Sequence, residues 1–316
     1  MNKPNWIRTH ASSGGNWQQV YDVLHQKGLH TVCDEARCPN KGECWGCGTA
    51  TFMILGDICT RGCRFCAVAT AKEGRPVEAD EGVRIGMAAR ELGLKYIVLT
   101  SVDRDDLPDR GAGHFARCIN DIRNNYLRDS YPPPLAGGAG GGADQALQIE
   151  ALIPDYTAEE LEPIIEARPF VLAHNVETVP RLQGVRDGRA SFEKSLATLD
   201  SIKKLTTKEK KDSGFDKLNH RWSSLSRPLT KSSIMLGLGE TEKEVLETMD
   251  ALRSVGTDIL VLGQYLQPTK QQVPVVEYIT PEQFKEYGAA AKEKGFSFVV
   301  SAPLARTSYH AASVAC

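Results

Sequence analysis

Three thiols fall within eight residues in Cys59-Thr-Arg-Gly-Cys63-Arg-Phe-Cys66. The spacing lets one loop wrap a single metal cluster. Three cysteines do not complete an all-cysteine zinc site or an ordinary four-cysteine iron-sulfur site. A cubane cluster bound here would leave one iron without a protein ligand, and an open iron can take a small molecule; a structural zinc loop is the plainer reading of the same residues. Upstream, Cys33-Asp-Glu-Ala-Arg-Cys38-Pro-Asn-Lys-Gly-Glu-Cys44 forms a second triad, again one ligand short of four. Clustered thiolates repel one another, and a metal both neutralises them and lowers their pKa. Two adjacent triads therefore point to bound metal, with iron-sulfur and zinc both open for the upstream one. Cys47, Cys118 and Cys316 match neither triad and read as ordinary thiols.

The elements that must hold these loops follow from hydrophobic periodicity. β-rich runs at 51–55, 96–100, 147–152, 170–174, 233–238 and 258–263 alternate with helical patterns at 80–92, 114–128, 157–166, 190–205 and 241–255. Such alternation implies parallel βα units. Thr157-Ala-Glu-Glu160 and Thr241-Glu-Lys-Glu244 are capping boxes that start helices just after strands. The Cys59 loop follows the first of these strands, on the carboxyl-end face where βα enzymes keep their chemistry. Two stretches break the rhythm and read as mobile surface insertions: 131–144, rich in proline and glycine, and 206–230, with Lys208-Glu-Lys-Lys211 ahead of a serine-rich run.

With 38 Lys plus Arg against 40 Asp plus Glu in 316 residues, the net charge is -2. Nothing in that balance asks for nucleic acid; Glu209 and Asp212 interleave the one basic run, which reads as a solvated loop. The longest apolar runs fall far below the ~20 residues of a membrane helix. The N-terminus lacks an apolar signal core and does not read as a transit peptide. No membrane or nucleic-acid partner is expected.

Phe65, the aromatic residue just before the last cysteine, completes the motif by which the radical S-adenosylmethionine superfamily is recognised. Within it, the two triads in this order resemble the lipoyl synthase family. The likeness continues through Asn40-Lys-Gly-Glu-Cys44-Trp45, Gly48-Thr-Ala-Thr-Phe52, Thr100-Ser-Val-Asp-Arg-Asp-Asp-Leu-Pro-Asp109, Gly111-Ala-Gly-His-Phe115, His174-Asn-Val-Glu-Thr-Val-Pro-Arg181, Met235-Leu-Gly-Leu-Gly-Glu240 and Arg306-Thr-Ser-Tyr-His310. The resemblance implies an α/β fold: a partial (β/α)6 TIM-like barrel over 49–280, an N-terminal extension over 1–48 and a C-terminal segment over 281–316. It implies two 4Fe-4S clusters. One sits on Cys59, Cys63 and Cys66 and binds S-adenosylmethionine; the auxiliary one sits on Cys33, Cys38 and Cys44, with Ser308 as its fourth ligand. The implied reaction inserts sulfur at C6 and C8 of an octanoyl chain amide-linked to a lysine of a lipoyl carrier protein or lipoyl domain, with the auxiliary cluster as sulfur donor. A ferredoxin- or flavodoxin-type electron donor and an iron-sulfur carrier that rebuilds the auxiliary cluster are the further partners implied, and the family suggests a monomer. Exposed clusters need a reducing compartment, the bacterial cytoplasm or, after presequence removal, an organelle matrix. Biotin synthase, methylthiotransferases and a non-catalytic iron-sulfur or zinc module are the rival readings; the Cys33 triad with Ser308 argues against the first two. The chain departs from the family motif at Thr307, where serine is usual, and at Ala302, where glycine is common.

Polar residues at strand ends complete the expected site. Ser101 and Asp103 would meet the amino group of S-adenosylmethionine, Glu150 would face the barrel interior and take its ribose hydroxyls, and Asn175 and Glu177 would line the mouth. Gly237, Gly239 and Glu240 would let backbone approach the adenine. Arg186 or Arg189 would hold the carboxylate. Asp105, Asp106 and Asp109 read equally well as loop or cap residues, and His174 as a satisfied core histidine.

Overall fold

Strands buried on both faces read as continuous apolar runs rather than alternating ones. Ala-Thr-Phe-Met-Ile at Ala50–Ile54 and Ile-Leu-Val-Leu-Gly-Gln at Ile259–Gln264 are such runs, buried at every position. The computed structural model describes residues 3–7, 15–35, 40, 44–45, 50–127, 147–212 and 227–308. Its elements run α1 Gly15–Gln26, β1 His30–Thr31, α2 Val32–Glu35, β2 Ala50–Ile54, β3 Ile58–Cys59, β4 Ala69–Thr70, α3 Glu81–Glu91, β5 Tyr96–Ser101, α4 Ala112–Tyr126, β6 Gln148–Leu152, α5 Ala158–Glu166, β7 Val171–Ala173, a 3-10 turn Pro180–Val185, α6 Phe192–Asp212, β8 Leu229–Leu236, α7 Glu242–Ser254, β9 Ile259–Gln264, α8 Pro281–Glu293 and β10 Phe298–Ala302.

The main sheet has the order β1-β2-β5-β6-β7-β8-β9-β10. Every pair from β2 to β10 is parallel, and β1 lies antiparallel on the outer edge of β2. All six expected strands are present, each followed by a helix or turn, and the fold is that of a partial TIM-like barrel. Among the described residues it is open at β1 and β10. The structure adds a seventh parallel strand: β10 pairs with β9 from Phe298↔Ile259 to Ala302↔Gly263, so the segment after residue 280 contributes one more helix and strand, α8 and β10, to the same barrel. Helices α1 and α8 were also not apparent from periodicity; α8 buries Phe284, Tyr287 and Ala291.

Alternation along the strands sorts the side chains into two layers. Ile97, Leu99, Ile149, Ala151 and Leu172 join the large core between sheet and helices, whereas Tyr96, Val98, Val171, Ala173 and Ile259 form small clusters of their own with Leu152 and Phe170. In the inner layer Lys231 Nζ donates to both oxygens of Glu150, at 2.8 and 2.9 Å, and the Tyr96 hydroxyl donates to Glu150 Oε2 at 2.7 Å. The Thr241 capping box forms as read: Thr241 Oγ1 accepts from the Glu244 amide at 3.3 Å and Glu244 Oε2 from the Thr241 amide at 2.8 Å. Of the expected insertions, 131–144 lies outside the described residues. The second is shorter than expected, because α6 continues to Asp212 and β8 begins at Leu229, with Thr206 buried and its hydroxyl donated to the Ile202 carbonyl at 2.8 Å.

Candidate active site

The chain leaves β2 through Leu55, at a φ of 68°, and Gly56, at 90°. A left-handed leucine is strained by about 1 kcal/mol or more, and both its backbone groups are held. Its amide donates to Glu81 Oε2 at 3.0 Å and its carbonyl accepts from Arg104 Nη1 at 3.0 Å. His114 Nε2 lies 2.7 Å from the same Glu81 oxygen. Arg117 Nη2, 3.2 Å from His114 Nδ1, can only donate, so the ring proton is on Nε2 and points to the carboxylate. The buried trio Glu81, His114 and Cys118 is therefore a hydrogen-bonded brace behind the Leu55 bend.

That bend aims the Cys59–Cys66 loop across the strand ends. Arg61, buried between the first two cysteines, donates to both oxygens of Asp105, at 2.9 and 2.8 Å, and to Asp155 Oδ1 at 2.7 Å. The Thr60 amide donates to the Asp103 carbonyl at 2.9 Å, the Gly62 amide to Asp187 Oδ2 at 2.9 Å and the Arg64 amide to the Val185 carbonyl at 2.7 Å. The loop is thus tied to the ends of β5 and β6 and to the segment after β7. Backbone amides reach the sulfurs as well, Arg61 N to Cys59 Sγ at 3.4 Å and Asp187 N to Cys63 Sγ at 3.3 Å.

Cys59, Cys63, Cys66 and Phe65 line a cavity of about 510 Å³ that is also lined by Ser101, Asp103, Asn175, Glu177, Arg186, Cys33 and Ser308. Burial pushes each of the three thiols up to about 11, so at neutral pH they become thiolates only against a cationic centre. The Ser101 hydroxyl and Asn175 Oδ1 are buried with no partner among the described residues. Burial pushes Asp103 up to about 6 and also raises Glu177 above the usual carboxylate range. Soft sulfur donors at the cavity wall, orphaned polar atoms and two desolvated carboxylates fit an iron-sulfur cluster with a polar, cationic ligand beside it.

The C-terminal segment closes over the same cavity. Gly263 lies so near that a Cβ there would sit 2.1 Å from the Ala305 carbonyl oxygen. Asn175 Nδ2 donates to the Thr307 hydroxyl at 3.2 Å, and Ser233 Oγ lies 3.1 Å from that hydroxyl. Asn40, four residues before Cys44, donates to the Leu304 carbonyl at 2.6 Å, which joins the cysteine-bearing N-terminal stretch to the segment that leads to Ser308. Cys38 lies outside the described residues, as do Cys47 and Cys316.

Several expected contacts are not brought together. Glu150 does point into the barrel, but its carboxylate is satisfied by Lys231 and Tyr96 and does not line the cavity. Gly237, Gly239 and Glu240 do not line it either: Glu240 accepts from the Gly237 and Leu238 amides, and a Cβ at Gly237 would meet Gln264 Nε2 at 2.1 Å. Gly237 serves close packing of a turn, whereas Gly239 has ordinary space around it and is suited to its left-handed φ of 102°. Arg189 pairs with Asp187 at 2.8 Å and with Asp105 at 3.2 Å, outside the cavity wall. Sequence reasoning missed Arg61, Asp155 and Asp187. Asp155 lies three residues beyond β6 and Arg61 inside the cysteine motif, and both positions were signals that they serve the loop.

A sheet of parallel βα units with a three-cysteine loop at its carboxyl ends defines a radical S-adenosylmethionine protein: the signature of the Radical SAM superfamily covers residues 53–252, and the chain belongs to that superfamily. Solved structures agree on the fold at low identity. The FeFe-hydrogenase maturase HydG from Carboxydothermus hydrogenoformans superposes with a TM-score of 0.52 at 13% identity over 95% of this chain and 69% of that one. Methylornithine synthase does so with 0.50 at 11% over 89% and 82%. Among curated relatives, the lipoyl synthase of Anaeromyxobacter sp. is 45% identical over 99% of this chain and 94% of its own length. That of Thermus thermophilus is 45% identical over 98% and 85%, and the human mitochondrial one 43% over 98% and 75%. The chain belongs to the lipoyl synthase family. No helix of the described residues is long and apolar enough to cross a membrane, and its relatives are both bacterial and mitochondrial.

Proposed function

We propose that the protein inserts two sulfur atoms, at C6 and C8, into an octanoyl chain amide-linked to a lysine of a lipoyl carrier protein or lipoyl domain. The observation that carries this reading is the single cavity lined by Cys59, Cys63 and Cys66 together with Cys33 and Ser308. Cys59, Cys63 and Cys66 hold one 4Fe-4S cluster, and Cys33, Cys38, Cys44 and Ser308 hold the auxiliary one. When bound, the first cluster with S-adenosylmethionine supplies a primary carbon radical able to take hydrogen from an unactivated C–H bond, and the second supplies sulfur.

The chain's own residues bind and aim. Asp103 and the orphaned Ser101 hydroxyl face the amino group of S-adenosylmethionine, Arg186 its carboxylate, and Asn175 and Glu177 its remaining polar atoms. Arg61 holds the cluster loop in register with them. Ser308 is the hard oxygen ligand among soft thiolates, so its corner of the auxiliary cluster is the easiest to release. Division of labour follows: 49–280 generates the radical, while 1–48 and 281–316 present the sulfur source. A ferredoxin- or flavodoxin-type reductant and an iron-sulfur carrier act on the monomer, in bacterial cytoplasm or an organelle matrix.

The test is mass spectrometry of an octanoyl-lysyl peptide after anaerobic incubation with cluster-loaded protein, S-adenosylmethionine and a strong reductant. Gain of two sulfurs is expected. Deoxyadenosine without sulfur gain would move the substrate elsewhere, as for a biotin synthase-like enzyme; neither product from protein carrying both clusters would leave a binding module.

A further inference from the structure

A line of side-chain hydrogen bonds runs through the cavity wall and, among the described residues, reaches neither cluster loop. His174 Nδ1 lies 2.9 Å from the Ile153 carbonyl, His174 Nε2 2.8 Å from Ser195 Oγ, and Arg186 Nη1 2.9 Å from the same Ser195 oxygen. All three side chains are buried, Ser195 completely. Chemistry sets the direction of every bond. A carbonyl only accepts, so the ring proton of His174 is on Nδ1; its Nε2 lone pair then accepts the Ser195 hydroxyl proton, and the oxygen lone pair of Ser195 accepts from Arg186. Burial pushes His174 down to about 4, which keeps Nε2 an acceptor at neutral pH.

Arg186 Nη1 also donates to Gln183 Oε1 at 3.0 Å and to the Ser191 carbonyl at 3.3 Å. Among the described residues nothing accepts from its Nε or Nη2, although the residue lines the cavity. A guanidinium is planar, so fixing one nitrogen through several acceptors fixes the direction of the others. One end of Arg186 is anchored and the other is left for an anionic group.

We propose that His174 and Ser195 are positioning residues, which orient Arg186 so that its free nitrogens meet the carboxylate of S-adenosylmethionine. This rests on the reading of Arg186 given above. It also explains why His174 is not merely a core histidine: its ring spans the carbonyl after β6 and the first turn of α6, and so relays the position of two elements to one arginine.

The test is equilibrium binding to the cluster-loaded protein of two probes: S-adenosylhomocysteine, which has the carboxylate, and 5′-methylthioadenosine, which lacks the whole amino-acid end. Ser195→Ala and, as an independent second variant, His174→Gln are each expected to weaken S-adenosylhomocysteine about tenfold and to leave methylthioadenosine unchanged. Arg186→Lys is expected to give a larger loss with the same selectivity. If Arg186→Lys leaves S-adenosylhomocysteine unaffected, the assignment of the carboxylate to Arg186 fails. If Arg186→Lys weakens it and neither relay variant does, the relay is overturned while that assignment stands. Equal weakening of both probes would reduce His174 and Ser195 to structural residues and also overturn the proposal.

Discussion

Cys63 and Cys38 belong to the two different triads, and single substitutions separate their roles. Cys63→Ala is expected to abolish deoxyadenosine release, whereas Cys38→Ala spares it and loses sulfur insertion; deoxyadenosine and lipoyl product measured in one assay decide, and undiminished cleavage by the Cys63 variant would sink the assignment of the two clusters. His174 gives a pH dependence of known sign. Unfolded, it takes up a proton near 6.5; folded, burial holds it to about 4. Between those values the unfolded state binds more protons, so stability falls as pH drops, by up to ~1.4 kcal/mol per pH unit. Denaturant midpoints at pH 6.5 and 5.5 are expected to diverge less in His174→Gln than in the parent protein. Most of these residues were legible beforehand because thiols in a motif and polar groups at strand ends are local signals. Glu150 was half legible: alternation placed it inside the barrel, but its partner Lys231 is 81 positions away and invisible to any local pattern.

Elements owe their placement to a few close approaches. Gly263 on β9 lies directly under the Ala305 carbonyl, so Gly263→Ala must displace the segment that carries Ser308. The expected result is at least a tenfold loss of sulfur insertion with deoxyadenosine formation retained, since the cysteine loop is held by separate contacts. The ion pair joining β6 to β8 is the opposite case, a polar contact deep between strands. Lys231→Met would strand the Glu150 charge and cost about 3–5 kcal/mol; adding Glu150→Leu removes that charge and is expected to restore most of the denaturation midpoint. Strand and helix positions followed well from periodicity, and the Thr241 cap formed as its residues indicate. Helix α8 was missed because its apolar face is thin: Phe284, Tyr287, Gly288 and Ala291 are buried, but Glu and Lys surround them.

Across the molecule, the stretch before β2 and the stretch after β10 meet at the barrel mouth, through Asn40 and Leu304. The structure also ties 281–302 to the barrel, since β10 pairs with β9 and α8 buries Phe284 completely. A chain ending at 280 would uncover the apolar surface on which Phe284 packs and leave β9 as a bare parallel edge, and is expected to aggregate or lose its cooperative unfolding transition, as size-exclusion chromatography and circular dichroism would report. Residue types and spacing alone determined the parallel βα architecture, the triads and the side of the sheet that bears the chemistry, because periodicity, caps and ligand spacing are short-range properties. Tertiary folding decided the rest. It brought Cys33 and Ser308 to the cavity of Cys59, satisfied Glu150 with Lys231, kept Gly237 for packing, and left two nitrogens of Arg186 without an acceptor among the described residues. Each of those outcomes depends on which distant side chain reaches a buried polar group first, and that competition is settled only when the sheet and its helices assemble around it.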